Sequence, residues 1–216
     1  MPLFVLDKDI IFPPVHLAEP DGLLAIGGDL SQERLLTAYR SGIFPWYEGQ
    51  HILWWCPDPR FVLFPEKLHI SKSMKTLINQ DVFEFTVNKD FPAVISSCKT
   101  IPRKDQQGTW ITEEVREAYI ALHRQGFAHS AEAWFKGQLV GGLYGIRLGG
   151  VFFGESMFSR KSNASKYVFI KYVEQLKAEG VKLIDCQVYT DHLKSLGAEM
   201  IPRDRFVGMV EGLVEV

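Results

Sequence analysis

The second half of the chain alternates hydrophobic and polar positions in a way that predicts a meander of strands. "AHSAEAWF", "QLVGGLYGIRL" and "VFFGESMF" follow one another, separated by "KG" and "GG", which favour tight hairpins. A helical pattern, "NASKYVFIKYVEQLKAEG", then leads to a short strand, "VKLIDCQV". Because a crossover helix returns the chain in the same direction, we expect this strand to lie parallel to "VFFGESMF".

Upstream of the meander the pattern predicts helices and strands in an otherwise irregular, proline-rich region. One helix begins at Ser31 and stops at Gly42, and a second, "SKSMKTLINQ", follows the strand "RFVLF". The strand "FEFTVN" precedes a third helix, "TEEVREAYIALHRQG", for which Thr112 is the expected cap and Gly126 the stop. A short helix, "TDHLKSLG", is expected after the last strand.

Within "LIDCQV" two polar residues share one side of a predicted buried strand. Strand alternation places Asp185 and Gln187 on one face and Cys186 on the other. An unpaired buried amide costs about 1 to 3 kcal/mol, and an unpaired carboxylate costs more. If "VFFGESMF" is the neighbouring strand, Glu155 faces this pair. Two interpretations stay open: a polar functional site, or an internal hydrogen-bonded network.

Composition restricts the classes of function. The net charge of −2 provides no global attraction for nucleic acid, so such a contact requires a local basic patch. The three cysteines, Cys56, Cys98 and Cys186, are widely spaced, which predicts neither a disulfide framework nor a zinc site. Cys186 is read as a small core residue. The histidines show no metal-ligand spacing. No signal peptide or membrane span is expected, and a cytoplasmic protein fits best.

Aromatic residues and lysines suggest a local nucleotide contact. Several tryptophans, including Trp46 and Trp110, could form a platform on which a base stacks. Lys67, Lys72 and Lys75 are expected in or near one helix and could contact phosphates. An aromatic core below a solvated lysine face is the alternative. Likewise, the loop "SRKSNASK" could bind an anion at a helix N-terminus, but capping by Ser162 or Asn163 is the simpler interpretation.

A family resemblance rests on motifs that occur in order over nearly the whole chain. The motifs are "DGLLAIGGDLS", "GIFPW", "ILWWCPDPR", "LHISKSMK", "GTWIT", "AHSAEAW", "LVGGLYG", "FFGESMFS", "NASK", "LIDCQV" and "SLGAEMIPR". Together they closely resemble those of the leucyl/phenylalanyl-tRNA-protein transferases. The resemblance implies an α+β fold, with a small N-terminal domain (residues 1–60) and a mixed-sheet domain similar to GNAT acetyltransferases (residues 61–216).

The resemblance also implies an activity. Members of this family move Leu, Phe or less often Met from aminoacyl-tRNA to the N-terminal Arg or Lys of a protein, which marks that protein for degradation. We therefore expect aminoacyl-tRNA and such proteins as partners, no cofactor or metal, and a monomer.

Site residues are implied by matching motifs. Asp185, Gln187 and Glu155 match the proposed catalytic group of the family. Lys72 matches its basic tRNA-binding helix, where Lys75 could compensate for missing cations. The positions that match residues around the terminal adenosine and aminoacyl group, or in the pocket for the transferred side chain, are Tyr39, Trp46, Trp110, Leu143, Phe152, Phe169, Tyr172 and Ile184.

Two other functions are compatible with parts of the sequence. The C-terminal strand order fits a GNAT-type acyl-CoA N-acyltransferase, but "SRKSNASK" lacks the glycines of a pyrophosphate loop. A non-catalytic module that binds RNA 3' ends would use the aromatics and lysines, and it leaves Asp185, Gln187 and Glu155 unexplained.

Overall fold

The computed structural model describes residues 3–101 and 110–214, so Gly108 and Thr109 of the "GTWIT" motif lie outside the described residues. Short 3-10 helices occur at Val15–Leu17 and Pro65–Lys67. In chain order the other elements are β1 (Phe4–Leu6), β2 (Leu23–Gly27), α1 (Gln32–Arg40), β3 (Phe44–Pro45), β4 (Leu53–Trp55), β5 (Arg60–Leu63), α2 (Lys72–Asn79), β6 (Glu84–Val87), α3 (Phe91–Thr100), α4 (Glu113–Arg124), β7 (Ala128–Phe135), β8 (Gln138–Leu148), β9 (Val151–Ser159), α5 (Ala164–Ala178), β10 (Leu183–Gln187), α6 (Asp191–Ser195), β11 (Glu199–Ile201) and α7 (Arg203–Val214).

The strands form two sheets. The smaller sheet has the order β1-β2-β4-β3, and the larger has the order β11-β5-β10-β9-β8-β7-β6. In the larger sheet β10 runs parallel to β9 and antiparallel to β5, which confirms the predicted parallel neighbour. The fold is α+β with a mixed sheet, as expected. None of the helices within residues 3–101 and 110–214 is long and apolar enough to cross a membrane.

The parallel strands β9 and β10 pair over only three residues each. Residues Leu183 to Asp185 of β10 pair with Val151 to Phe153 of β9, and the pairing stops there. β9 continues to Ser159, whereas β10 ends two residues later at Gln187. The side chains that follow the last pair therefore face a gap between the strands. Glu155 and Gln187 lie on the two sides of this gap.

Local sequence signals account for most helix ends. Ser31 accepts a hydrogen bond from the N–H of Arg34, and Thr112 accepts one from the N–H of Val115, as the capping pattern predicts. Gly42 follows the first of these helices with a φ of +72°, which favours glycine.

The N-terminus of α5 differs from the expectation. Asn163 adopts a φ of +66° and makes no capping hydrogen bond with its side chain. Instead, the hydroxyl oxygen of Ser159, at the end of β9, accepts a hydrogen bond of 3.3 Å from the N–H of Ser165. Of the two expected caps, Ser162 and Asn163, Asn163 occupies the cap position without a side-chain hydrogen bond, and the strand that precedes the helix supplies the acceptor.

Helices α3 and α7 are not among the elements that the sequence pattern predicts. α3 reads "FPAVISSCKT", and its β-branched, Ser, Cys and Thr residues have modest helix propensity. Its start is fixed by Asp90, whose carboxylate accepts a hydrogen bond of 3.0 Å from the N–H of Ala93. α7 contains two glycines, which also lower intrinsic helix propensity. Burial of Phe206 and Val210 fixes α7 against the rest of the fold.

The larger sheet separates two hydrophobic clusters. Adjacent residues of one strand enter different clusters, as in β9, where Phe153 joins the cluster that contains Tyr39 and Tyr144, while Phe152 joins the one that contains Phe169. This alternation is the expected consequence of strand geometry. An apolar pocket on one face of the sheet can contact polar groups on the other face only at the gap between β9 and β10.

Candidate active site

Glu155 connects four structural elements through its side chain. Its Oε1 accepts hydrogen bonds of 2.8 Å from the hydroxyl of Tyr39 on α1 and of 2.8 Å from Nε2 of Gln187 on β10. Its Oε2 accepts one of 3.1 Å from the hydroxyl of Tyr119 on α4. The hydroxyls of Tyr39 and Tyr119 also lie within hydrogen-bond distance of each other. Because the two phenols have only two hydrogens, all three oxygen contacts are satisfied only when the carboxyl group is protonated and donates to one of them. The gap between β9 and β10 thus contains a carboxyl group with three polar partners.

The surroundings shift the ionisation of this group. Burial raises the pKa of Glu155 to about 7, although the hydrogen bonds from Tyr39 and Tyr119 lower it. Burial also raises the pKa of both tyrosines, and the charge of Glu155 raises it further. Both hydroxyls therefore remain protonated donors near neutral pH, while Glu155 can exchange a proton.

Asp185 is paired with an arginine that the sequence analysis did not single out. Nε and Nη2 of Arg60 donate hydrogen bonds of 2.8 and 2.6 Å to Oδ1 and Oδ2 of Asp185, and both side chains are fully buried. Burial disfavours the charge of Arg60, but the attraction of Asp185 outweighs it and raises the Arg60 pKa. Asp185 therefore does not offer a free charge to a cationic substrate.

The backbone departs from strand geometry at Gln187. The register against β5 shifts between Asp185 and Gln187, and Gln187 has a φ of +63°. Such a conformation costs a non-glycine residue about 1 to 3 kcal/mol and occurs preferentially at functional sites. Asp185 stabilises it, because Oδ1 accepts a hydrogen bond of 2.9 Å from the Gln187 N–H. The alternation of side chains along a strand therefore predicts the face on which Asp185 lies, but it does not predict the orientation of Gln187.

In the side-chain amide of Gln187 the nitrogen forms a hydrogen bond, whereas the carbonyl oxygen is free to accept one. Nε2 donates to Glu155, which assigns the amide orientation from the hydrogen-bond network. The carbonyl oxygen Oε1 then has no hydrogen-bond partner among residues 3–101 and 110–214. Since Gln187 lines a cavity, this oxygen can accept a hydrogen bond from a bound molecule.

A cavity of about 470 Å³ begins beside Glu155 and Gln187 and extends into the apolar side of the sheet. Its size falls within the usual range for small-molecule sites. Four of the residues expected in the side-chain pocket line it: Leu143, Phe152, Phe169 and Ile184. Tyr172 is not among the lining residues, and it packs edge-on against Phe152 with 5.2 Å between ring centroids. Tyr172 therefore supports the wall of the cavity from behind.

The remaining expected residues lie away from the cavity walls. Trp110 is buried in the core, whereas Trp46 is exposed and packs against Trp55. Lys72 and Lys75 are both exposed on α2. Lys67, expected near them, instead belongs to a 3-10 turn and forms a salt bridge with Glu199. These positions are compatible with contacts to a large substrate outside the cavity.

Sequence reasoning missed Tyr119 and Arg60. Tyr119 occupies an apolar position of the amphipathic helix α4, where a tyrosine is usually a core residue. Arg60 begins a short apolar strand within the motif "ILWWCPDPR", and a lone arginine there gives no local signal of burial. The unpaired acid on "LIDCQV" was the available clue, because a buried carboxylate requires a buried donor.

Cys186 does not provide a reactive thiolate. Burial raises the pKa of the Cys186 thiol, so a thiolate is not formed near neutral pH. Within the described part of the chain there is no group of three or more His, Cys, Asp and Glu side chains that could hold a metal ion. The polar side chains at the gap between β9 and β10 are a carboxyl group, an amide and two phenols.

Comparison with known proteins identifies the family. A family model described as leucyl/phenylalanyl-tRNA protein transferase matches residues 62–211, and the model of that family's N-terminal domain matches residues 28–58. A leucyl/phenylalanyl-tRNA–protein transferase of Syntrophus aciditrophicus (strain SB) is 57% identical over 211 residues, covering 97% of this chain and 88% of the relative. One from Christiangramia forsetii is 59% identical over 208 residues, covering 95% and 98%.

Solved structures show weaker similarity. The structure of L-PGS from Bacillus licheniformis matches with 13% identity and a TM-score of 0.43, covering 78% of this chain and 54% of that one, so the chain spans about half of its length. A GCN5-related N-acetyltransferase from Kribbella flavida matches with 12% identity and a TM-score of 0.39, covering 78% and 59%.

The two family models and the high identity of the relatives over nearly full length lead to one conclusion. This chain belongs to the leucyl/phenylalanyl-tRNA–protein transferase family, and it is an aminoacyltransferase that moves an amino acid from aminoacyl-tRNA to a protein.

Proposed function

We propose that this enzyme transfers Leu, Phe and less often Met to the N-terminal Arg or Lys of acceptor proteins, and that the new N-terminus marks them for degradation. The observation that carries the proposal is the apolar cavity that begins beside Glu155 and Gln187. It offers a place for an apolar side chain directly beside groups that can hold an amine.

The reaction is aminolysis of an ester. The α-amine of the acceptor attacks the aminoacyl carbonyl, a C–N bond forms, and the C–O bond to the tRNA ribose breaks. The amine loses a proton, and the leaving ribose oxygen takes one up. An α-amine has a pKa of about 7.7 to 8.0, so a useful fraction is neutral at pH 7 and a modest base suffices.

Gln187 and Glu155 have complementary tasks in this proposal. The free Oε1 of Gln187 accepts an N–H of the attacking amine and holds it near the carbonyl. Glu155, with a pKa of about 7, receives the proton that the amine loses and can return it to the departing ribose oxygen. As a carboxylate it also attracts the cationic N-terminal residue of the acceptor. Tyr39 and Tyr119 fix its orientation.

The cavity supports the set of amino acids named in this proposal. Leu143, Phe152, Phe169 and Ile184 provide an apolar lining that suits Leu, Phe and Met. A charged side chain would lose its hydration without a partner, which is strongly unfavourable. Discrimination by one methylene gives only about 1 to 3 kcal/mol, so several apolar side chains are tolerated.

The proposal also includes contacts between the protein and tRNA. Lys72 and Lys75 are exposed on α2 and can contact the phosphate backbone. Trp46 is exposed and can stack with the terminal adenosine. Because Trp110 is buried, its role in this proposal is to support the adenosine site through packing and not to stack on the base.

The test mixes the purified protein with radiolabelled Phe-tRNA and two peptides that differ only in beginning with Arg or with Ala. We expect label to enter the Arg peptide alone. Transfer to both peptides would refute the proposed acceptor specificity. Label in neither peptide, with the aminoacyl-tRNA still bound, would favour a module that binds RNA ends, and transfer of an acyl group from acyl-CoA would favour the GNAT-type alternative.

A further inference from the structure

We infer that Arg60 is a positioning residue of the transfer reaction, which acts through Asp185 on Gln187. The inference rests on the roles proposed above for Gln187 and Glu155. Arg60 and Asp185 are both fully buried, and two hydrogen bonds of 2.8 and 2.6 Å join the guanidinium to the two carboxylate oxygens. This side-by-side geometry fixes the plane of the carboxylate as well as its charge.

Two aromatic rings pack against the Arg60 guanidinium. Its central carbon lies 4.6 Å from the ring centroid of Phe44 on β3 and 4.5 Å from that of Phe206 on α7. Arg60 therefore joins a strand of the smaller sheet and the last helix to the strand that carries Gln187. Cation–π contacts of this kind gain strength where water is excluded.

Asp185 in turn contacts Gln187, which lies on the side of the cavity. Oδ1 of Asp185, which accepts a hydrogen bond from Nε of Arg60, also accepts the N–H of Gln187. This bond stabilises the left-handed backbone at Gln187, which directs Nε2 onto Glu155. Without Arg60 the carboxylate can rotate, and the Gln187 backbone loses its support. A displacement of about 1 Å at a positioning group can cost about 10²-fold in rate.

The chain offers a matched control in Arg34, a second fully buried arginine. Its guanidinium donates to the backbone carbonyls of Asp7 and Asp9, away from Glu155 and Gln187. Each arginine leaves one guanidinium nitrogen without a hydrogen-bond partner among the described residues. Because both side chains are buried and form several hydrogen bonds, loss of either should destabilise the fold, but only loss of Arg60 should affect the chemical step.

The experiment compares Arg60→Lys, Arg60→Met and Arg34→Met in the full-length chain, by unfolding and by transfer of Phe to the Arg peptide. We expect both Arg60 variants to lower kcat by about 10²-fold, with the KM for aminoacyl-tRNA changed by less than about threefold. Arg60→Lys keeps the charge but cannot reproduce the two-point geometry, so it tests the reaction even where Arg60→Met does not fold. Arg34→Met should lower stability and leave kcat within about threefold.

A double-mutant cycle asks whether Arg60 acts through its partner. If it does, Arg60→Met/Asp185→Asn should have nearly the kcat of Asp185→Asn alone, because the second change removes nothing further. Multiplying effects, or a kcat loss in Arg60→Lys no larger than in Arg34→Met, would overturn the inference. Full activity in Gln187→Ala and Glu155→Gln would instead overturn the proposed site itself.

Discussion

Replacement of Glu155 by glutamine is expected to stabilise the protein above neutral pH while impairing transfer. The folded protein raises the pKa of Glu155 from the ordinary value of 4.5 to about 7, chiefly through burial. Each pKa unit corresponds to about 1.4 kcal/mol, so the ionised form is disfavoured in the folded state by about 3 kcal/mol. Glutamine is nearly isosteric and carries no charge, so it avoids this cost.

The sign and the pH window follow from these two values. Because the folded state binds the proton more tightly than the unfolded state, Glu155 contributes its full stability below about pH 4.5. That contribution is lost as the pH rises through about 7, the pKa in the folded protein. The difference in unfolding free energy between Glu155→Gln and the parent protein should therefore be small near pH 4.5 and approach about 3 kcal/mol above pH 7.5.

Urea denaturation of the two proteins at a series of pH values measures this difference directly. Glu174→Gln, an exposed change on α5, serves as the control for replacing a glutamate by glutamine. A Glu155→Gln difference that does not change with pH would refute the assignment of a raised pKa. Transfer activity of Glu155→Gln should fall by about 10²-fold or more, since the proton acceptor is lost.

Further predictions concern neighbours of Glu155. Gln187→Ala should lower kcat by about 10²-fold with little change in aminoacyl-tRNA affinity, and equal losses in both would contradict the role of its Oε1. Tyr119→Phe removes a hydrogen bond that lowers the pKa of Glu155, so the rising limb of the pH–rate profile should move to higher pH; an unmoved limb would exclude Glu155 as the titrating group. Leu143→Phe narrows the cavity and should reduce transfer of Phe relative to Leu by about tenfold, measured in competition; an unchanged ratio would place the side chain elsewhere. Cys186→Ala should retain transfer within about threefold, because its thiol remains protonated, whereas loss of all activity would point to a covalent intermediate.

Much of the site was predictable where the physical argument was local. Strand alternation and the crossover rule identified β9 and β10 as parallel neighbours. That topology was enough to bring Glu155 near Gln187. Capping patterns gave the starts of α1 and α4 correctly. These inferences succeed because strand period, helix caps and connection handedness depend on residues close together in sequence.

Other features were not predictable from the sequence pattern. The helices α3 and α7 depend on packing that overrides weak local propensity. The conformation of Gln187 requires a register shift against β5 and the side chain of Asp185. Tyr119 looks like any core residue of an amphipathic helix until its hydroxyl is seen to donate to Glu155.

The sequence by itself determined the order of strands and helix from β7 to β10, the family, and the presence of polar residues on a buried strand. Only the tertiary structure decided how those residues are used. Arg60 and Asp185 lie 125 positions apart in the chain and meet as a buried ion pair, and Tyr39 and Glu155 lie 116 apart. Contacts between such distant positions depend on how the sheet and helices pack, and no local pattern of hydrophobic and polar residues specifies them.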